Sequence, residues 1–335
     1  MRQGVEAKPP WKAVPAAVRH EVERLFDAPV VRAARVWGGY SPTPTFRLTF
    51  SDGQRAFFKG GTEAANPFAY KALAREERVY RELGGVIAPW APTFYGALHI
   101  GDWRALLLED VGPKTAPPWT PWRARQVVEG LAAFHQAAEG HDYPDWVPRP
   151  EQWVTGASWR TVAAEADGLR TIAAMAGERQ EEALAWLEQA QPRLDAAAQQ
   201  IAASPAPLTL LHNDTRSDNL RLREGRLVLF DWPWARLGPA ESEVVVFAQS
   251  VSVEHGPAPE QVVAWYEREV PLRAPLVDAA IAWWAAFFAD AAWRPEIPEL
   301  PRLRPFQRRQ LAETLRWAAR RLGLPEPAWT VALDE

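Results

Sequence analysis

The pattern of hydrophobic and polar positions divides the chain into two parts of different character. Up to about Gly112, short runs rich in β-branched and aromatic residues are separated by turn residues such as Asp52-Gly53. One longer segment, 68–83, has apolar positions at helical spacing and is followed by Gly84-Gly85, which is typical of a helix C-cap. The predicted strands of this part are 30–37, 46–50, 56–59, 94–100 and 104–108.

Beyond Pro121, long segments rich in Ala, Leu and Trp follow the helical period, with one β-type stretch at 207–231. The predicted helices are 122–139, 157–203 and 258–321, and a short one is expected at 15–28. We therefore expect an α+β chain of two lobes. The β-rich N-terminal lobe covers 1–112 and starts with a helical leading segment, 1–29. The larger, mostly helical C-terminal lobe covers 113–335.

Composition excludes several classes of protein. The chain of 335 residues has no Cys, which excludes a disulfide framework, a thiolate metal site and a cysteine nucleophile. A net charge of -4 lacks the basic surface expected of a nucleic-acid binder. The longest wholly apolar run, 279–289, is shorter than the ~20 residues that span a bilayer, so we expect a buried helix and no membrane partner. With no export signal at the N-terminus, the expected location is cytoplasmic.

The β-type stretch contains the candidate chemistry. His212, Asp214 and Asn219 follow its first apolar run, and Asp231 ends its last one. If 220–222 and 227–230 pair as a hairpin, Asn219 and Asp231 emerge at the same open end. An amide oxygen and a carboxylate suit Mg²⁺, which takes few protein ligands and prefers oxygen. Asp214 would then accept the proton of a substrate hydroxyl, and His212 would help to hold the loop.

The spacing H-x-D-x-x-x-x-N, followed by a hairpin and Asp, is that of a kinase catalytic loop with its metal-binding aspartate. Chance predicts about 0.002 matches in a chain of this composition, because it contains only 6 His and 3 Asn. The alternative is that Asp214 and Asn219 only cap turns. That alternative leaves Asp231 at the end of an apolar strand unexplained.

A second group is expected in the N-terminal lobe, since phosphoryl transfer also needs a cation on the nucleotide phosphates. Lys59 ends an apolar strand in a chain with 33 Arg and 5 Lys, which favours a specific need for an ammonium group there. Its expected partner is Glu76, which shares a helix face with Leu73 and Val79. The alternative is that Lys59 is a surface lysine whose stem lies along apolar side chains.

The remaining nucleotide contacts are expected on loops. Gly38, Gly39 and Ser41 form a turn whose backbone N–H groups could cover phosphates. The backbone of Glu109 and Val111, after the last predicted strand, could pair with adenine. Neither the G-x-G-x-x-G nor the G-x-x-x-x-G-K-[ST] motif occurs, which argues against Rossmann and Walker-type sites.

Together these segments resemble the aminoglycoside phosphotransferase family, the small-molecule branch of the protein-kinase-like superfamily. The resemblance rests on the motifs WGGYSPTPTFRL, FFKG, LAREERVYREL, LLLEDV, LAAFH, LHNDTRSDNLRL and LVLFDWPWARLG. It implies a bilobal kinase-like fold, ATP or GTP with Mg²⁺, and phosphate transfer to a hydroxyl. The roles that it implies are Asp214 as base, Asn219 and Asp231 as metal ligands, and Lys59 with Glu76 at the phosphates.

Two positions depart from the family pattern. Asn213 stands where the family usually has Gly, and it should be tolerated if its backbone dihedrals are ordinary. Glu243 stands where the family usually has an Asp that supports the catalytic segment, so a local rearrangement is expected there.

The acceptor is less defined than the reaction. Residues 251–335 carry nearly balanced charge, which disfavours a polycationic aminoglycoside. Trp232 and Trp234, beside Asp231, are candidates for lining the acceptor site, and Arg216 for meeting a phosphate or an anionic acceptor or for pairing with Asp218. We therefore expect an ATP-dependent kinase that phosphorylates a hydroxyl of a small molecule. The alternatives are a kinase-like pseudoenzyme that regulates a partner and, less favoured because no A-P-E segment follows Asp231, a protein kinase.

Overall fold

The computed structural model describes residues 8–37, 43–114, 116–153, 158–164, 167–204, 207–298 and 300–334. Their contacts group the chain into two compact units. The first unit comprises Met1–Thr115, Asp218–Trp234 and Pro298–Pro301, and the second comprises Ala116–Ser217, Ala235–Ile297 and Arg302–Glu335. This division differs from the expected segments 1–112 and 113–335, because the stretch with Asn219 and Asp231 packs with the N-terminal part.

The first unit is built on a five-stranded antiparallel sheet in the order β1-β2-β3-β5-β4. Each strand lies where the sequence pattern predicts one. The helix predicted at 15–28 is also confirmed, as α1 (Ala16–Phe26). The strands are β1 (Val30–Arg35), β2 (Thr45–Phe50), β3 (Arg55–Thr62), β4 (Phe94–Ile100) and β5 (Trp103–Glu109).

Period-two alternation gives the sheet one fully apolar face. Phe46, Leu48, Phe58 and Leu107 are buried on it and pack with residues of α1 such as Val18. Residues directly opposite each other in antiparallel strands share a face, so the other face carries the odd-numbered positions of β2 and β3, including Lys59.

The long helix of the first unit, α2 (Pro67–Glu82), starts at a side-chain cap. The Asn66 side chain accepts a hydrogen bond from the Ala69 N–H at 2.9 Å, and Pro67 occupies the first turn. The predicted C-cap at Gly84-Gly85 is wrong. The helix ends at Leu83, which is not left-handed, and a further helical turn follows as α3 (Gly84–Ile87). Leu83 and Ile87 are buried, which explains the continuation.

Four short strands follow much later in the chain and form two antiparallel pairs. β6 pairs with β9 in the second unit, and β7 pairs with β8 in the first. Glu224 and Gly225, both with positive φ, close the β7–β8 hairpin, as expected of a tight two-residue turn. The bounds are β6 (Thr209–Leu211), β7 (Leu220–Arg223), β8 (Arg226–Leu229) and β9 (Arg236–Gly238).

The described part of the second unit is otherwise helical. α11 is long and apolar enough to cross a membrane, and 67% of its most apolar window is buried inside the structure. α9 was not predicted, and the segment predicted as one helical stretch at 157–203 contains three helices. The helices are α4 (Pro121–Ala138), α5 (Pro150–Trp153), α6 (Trp159–Ala164), α7 (Gly168–Ala174), α8 (Gln180–Ala198), α9 (Ala240–Val253), α10 (Pro259–Tyr266), α11 (Ala274–Ala292) and α12 (Leu303–Leu322).

Candidate active site

A buried ion-pair group in the first unit joins Lys59, Glu76 and Asp231. The Lys59 ammonium pairs with the Glu76 carboxylate of α2, as predicted. It also lies 2.9 Å from Oδ1 of Asp231. Glu76 is almost fully buried, whereas the Asp231 side chain is 44% exposed. One lysine therefore connects a core carboxylate to a carboxylate that solutes can reach.

Burial and charge act in opposite directions on these groups. Burial disfavours the ammonium form of Lys59, but the Asp231 and Glu76 carboxylates outweigh burial and raise the pKa of Lys59. Burial raises the pKa of Glu76 to about 7, although Lys59 opposes that rise. Lys59 therefore stays charged at neutral pH, while Glu76 titrates near neutral pH.

The β7–β8 hairpin positions the two predicted metal ligands. Leu220 pairs with Leu229, and beyond this pair the Phe230 N–H donates to the Asn219 carbonyl at 3.0 Å. Asn219 and Asp231 therefore lie at the same open end of the hairpin, as predicted. Asp231 has a φ of 71°, which turns the chain sharply after the strand.

The donor set at this end fits Mg²⁺. An amide oxygen and a partly exposed carboxylate are hard oxygen ligands, and Mg²⁺ usually takes only one or two from protein. Among the described residues, no group of three or more His, Cys, Asp or Glu could hold a metal ion without other ligands. The residues present therefore suit a metal that is completed by phosphates and water, and they do not form an all-protein metal cage.

The predicted base, Asp214, lies in the second unit, on the loop that follows β6. Its carboxylate is partly exposed and pairs with Arg216, with Oδ1 and Nε 3.3 Å apart. His212 is fully buried, and its Nδ1 lies 3.3 Å from the Asp214 N–H. This contact ties the buried His212 ring to the loop that carries Asp214.

Glu243 of α9 holds this loop through both carboxylate oxygens. Oε2 accepts from the His212 N–H at 3.0 Å and lies 3.0 Å from Nε2 of His135. Oε1 accepts from the Asn213 N–H at 2.7 Å and from the Thr215 hydroxyl. Burial alone would raise the pKa of Glu243, but its hydrogen bonds and the neighbouring histidines lower it below the ordinary value. The longer glutamate side chain thus supports the loop that carries Asp214.

Asn213 does not have the ordinary dihedrals that its tolerance was expected to require. Its φ is 64°, in the left-handed region where glycine is favoured and Asn is the next most tolerant residue. With the amide oriented to match its neighbours, its oxygen accepts from Nε and Nη2 of Arg236 at 3.2 and 3.1 Å. Arg236 stacks on the Trp153 ring at 4.9 Å. The side chain of Asn213 therefore connects the loop to an anchored arginine.

The aromatic candidates have different surroundings. Trp232 is fully buried and donates its indole N–H to the Leu229 carbonyl at 2.8 Å, so its expected role in lining the acceptor site is wrong. Trp234 is half-buried and lies 5.6 Å from the ring of Phe68, which is 68% exposed. This pair presents an aromatic surface in the first unit.

The expected nucleotide contacts are only partly within the described residues. Gly38, Gly39 and Ser41 lie outside them. The Glu109 N–H donates to the Thr93 carbonyl at 2.8 Å, so this N–H does not point to a base, and the Glu109 carboxylate pairs with Arg223. Val111 follows in a half-buried, irregular segment.

The sequence analysis did not predict a second carboxylate that holds the loop that carries Asp214. Glu254 accepts from the Ser217 hydroxyl at 2.6 Å and from the Trp119 indole at 2.7 Å. His135 and Thr215 were also not singled out as partners of Glu243. These contacts join positions far apart in sequence, and no local spacing of residues predicts them.

Comparison with known proteins places the fold. The profile of the phosphotransferase enzyme family, APH, matches residues 32–276. No curated protein sequence matches the chain. Among solved structures, the amicoumacin kinase hAmiN in complex with AMP-PNP, Ca²⁺ and Ami is 12% identical with a TM-score of 0.57, and the match covers 90% of this chain and 95% of that chain.

Two aminoglycoside-type enzymes have the same fold. The aminoglycoside phosphotransferase APH(4)-Ia is 17% identical with a TM-score of 0.56, over 94% of this chain and 98% of that chain. Spectinomycin phosphotransferase APH(9)-Ia, with ADP and spectinomycin, is 14% identical with a TM-score of 0.56, over 89% and 93%. These likenesses confirm the α+β kinase-like fold. The family profile spans most of the sequence, and the chain therefore belongs to the phosphotransferase enzyme family.

Proposed function

We propose that the protein is an ATP-dependent phosphotransferase that moves the γ-phosphoryl group to a hydroxyl of a small molecule. The group of Lys59, Glu76 and Asp231 carries this proposal. A lysine held by a buried glutamate and next to a metal-binding aspartate is the arrangement that phosphoryl transfer needs in kinases. We favour ATP over GTP, because related structures contain AMP-PNP or ADP.

Each residue has a proposed task. Lys59 binds the donor phosphates, and Glu76 keeps its ammonium in place. Asn219 and Asp231 hold Mg²⁺, which when bound neutralises negative charge on the phosphates. The remaining proposed donor contacts are made by the backbone at Gly38, Gly39, Ser41, Glu109 and Val111.

The transfer step is a displacement at phosphorus. The acceptor oxygen forms a bond to the γ-phosphorus while the bond to the bridging oxygen of ADP breaks, and Asp214 takes the hydroxyl proton. Arg216, paired with Asp214, is the proposed contact for a phosphate or an anionic acceptor group.

The acceptor is proposed to be small and not strongly cationic. The ion pair of Arg216 and Asp214 and the nearly balanced charge of residues 251–335 offer little attraction to a polycationic compound. Trp234 and Phe68 offer a stacking surface for a sugar or a flat ring. The enzyme is proposed to act in the cytoplasm, without a nucleic-acid or membrane partner.

The test is phosphorylation by the wild-type protein and by Asp214→Asn. A panel of hydroxylated metabolites and antibiotics with Mg²⁺ and ATP would first identify an acceptor by mass spectrometry. With that acceptor, Asp214→Asn should lower kcat by about 10²- to 10⁴-fold. Binding of ADP should change little. Asp278→Asn, which alters a carboxylate on α11 paired with Arg321, is the matched control.

Unchanged kcat in Asp214→Asn would show that another group takes the proton. If the wild-type protein binds ADP with Mg²⁺ but phosphorylates no member of a broad panel, the pseudoenzyme alternative gains support.

A further inference from the structure

Two arginines of the first unit have no task in the proposed phosphoryl transfer. Arg47 lies on β2 directly opposite Phe57, and Lys59 lies two residues further along β3. Opposed residues share a face, and so do alternate residues of one strand. Arg47, Phe57 and Lys59 therefore line one face of the sheet, away from the apolar core.

Arg47 lies between Lys59 and the segment that follows β5, as measured along the sheet. Its Nε is 3.4 Å from Oδ1 of Asp110, and its guanidinium donates to the Gly112 carbonyl. Both partners belong to the segment after β5, which is expected to pair with the base of the donor. Two residues of β-strand span roughly 7 Å, so Arg47 is displaced along the sheet from the phosphate-binding lysine toward that segment.

Arg221 approaches the same region from the β7–β8 hairpin. It is two residues beyond Asn219, and its guanidinium lies 4.9 Å from the ring of Phe230, the residue before Asp231. The metal-binding end of the hairpin therefore has a stacked guanidinium beside it.

The charges of the two arginines influence each other. Burial and, after it, the positive charge of Arg47 lower the pKa of Arg221 to about 10, against the attraction of Asp218 and Asp110. Burial also lowers the pKa of Arg47, against Asp110. Both arginines remain charged at neutral pH. Arg47 therefore lies beside Asp110 of the segment after β5, and Arg221 lies beside the hairpin end that carries Asn219 and Asp231.

We infer that Arg47 and Arg221 hold the purine base of the phosphate donor by stacking their guanidinium planes on it. The inference rests on the proposed function, since phosphates on Lys59 and a base at the backbone of Glu109 and Val111 would bring the nucleoside past Arg47 and Arg221. Guanidinium groups are flat and weakly hydrated, and they stack on aromatic rings. Such stacking binds any base, because every base has a π-face.

The decisive comparison is between a ligand with a base and one without. Calorimetric titration would measure the binding of ADP and of inorganic tripolyphosphate, each with Mg²⁺. Arg47→Leu and Arg221→Leu should each weaken ADP binding by about tenfold. Tripolyphosphate should bind these variants as it binds the wild type. Arg226→Leu, an exposed position on the same hairpin, should leave both affinities unchanged.

Lysine variants distinguish an effect of guanidinium stacking from an effect of positive charge. Because they keep the charge, they also control for misfolding of the leucine variants. Arg47→Lys and Arg221→Lys retain the cation but not the plane, so they should lose ADP affinity nearly as much as the leucine variants. Unchanged or tighter ADP binding in the leucine variants would overturn the inference. An equal loss of tripolyphosphate affinity would also overturn it, since the arginines would then contact phosphate. If the wild type binds ADP and the leucine variants bind it equally well, the inference fails alone, and if the wild type binds no ADP, the proposed function fails with it.

Discussion

Glu243 shows how much of the site depends on one carboxylate. It is fully buried, and both of its oxygens accept hydrogen bonds from the loop that carries Asp214. Glu243→Gln would place an amide NH₂ against backbone N–H donors. Since a buried group left unsatisfied costs about 1–3 kcal/mol, we expect the free energy of unfolding to fall by that order in urea titrations at pH 7. Glu267→Gln, an exposed site after α10, should change it by less than about 0.5 kcal/mol.

The same variant should show a defined pH dependence. The pKa of Glu243 is lowered on folding, so its charge stabilises the fold above its ordinary value of 4.5 and loses that effect as pH falls through the lowered pKa. The stability difference between wild type and Glu243→Gln should therefore shrink below about pH 4.5. A difference that grows on acidification would contradict the role assigned to this carboxylate.

Glu76 should behave in the opposite way. Burial raises its pKa from 4.5 to about 7, so its favourable contribution is complete below pH 4.5 and is lost as pH rises to 7. The free energy of unfolding of the wild type, relative to Glu76→Gln, should fall by up to roughly 3 kcal/mol over that range. Urea titrations of both proteins at pH 5, 6, 7 and 8 measure the change. A flat difference would mean that Lys59 fully compensates the buried charge.

At the residue scale, the sequence predicted site residues best at positions where the proposed chemistry allows only one or two residue types. Lys59, Asn219 and Asp231 stood out because Lys and Asn are rare and each follows or precedes an apolar strand. Trp232 directly follows Asp231, yet Trp232 is buried and Asp231 is partly exposed. Proximity in sequence does not determine which way a side chain points. The family resemblance singled out Glu243, but its bond to Thr215 and the role of Glu254 depend on contacts 28 or more residues away, which no local pattern encodes.

At the scale of elements, the spacing of apolar residues predicted the amphipathic strands and helices well. It failed for segments that have no polar face. The five strands of the sheet alternate between a core face and a second face, and all were predicted. α9 was missed because Glu241–Val251 is buried on every side, so it has no polar stripe to define a helical period. The stretch 157–203 was merged into one helix, although Asp167 and Gly177 adopt positive φ and separate the segments.

Two glycines allow a matched test of packing around these elements. A methyl group on Gly238 of β9 would lie 2.2 Å from the Trp153 ring, whereas one on Gly85 of α3 would meet nothing within 4 Å. Gly238→Ala should therefore lower the free energy of unfolding by about 1–3 kcal/mol through overpacking. Gly85→Ala should raise it by about 0.5–1 kcal/mol, because alanine loses less entropy in a helix. Thermal and urea unfolding of both variants would measure the two signs, and equal effects would refute this account of β9 packing.

At the scale of the molecule, chain order does not follow the compact units. The hairpin with Asn219 and Asp231 belongs to the first unit, although about a hundred residues of the second unit precede it. The local pattern showed a change from β-rich to helical segments near Gly112. It could not show that a later segment, Asp218–Trp234, packs in the first unit. Lys59 and Asp231 meet across 172 residues of sequence, so the first unit is completed only when that return is made.

A nucleotide that binds both Lys59 and Asp231 should therefore stabilise the first unit as a whole. At 100 times its Kd, a ligand specific for the folded state adds about 2.7 kcal/mol, so ADP with Mg²⁺ should raise Tm clearly and in a concentration-dependent way. Asp231→Asn should lose most of that increase, because it removes the carboxylate that is proposed to hold the metal and that pairs with Lys59. Asp52→Asn, in the exposed β2–β3 turn, should retain it. No increase in the wild type at saturating ADP would argue against nucleotide binding, and an equal increase in Asp231→Asn would place the nucleotide away from the hairpin.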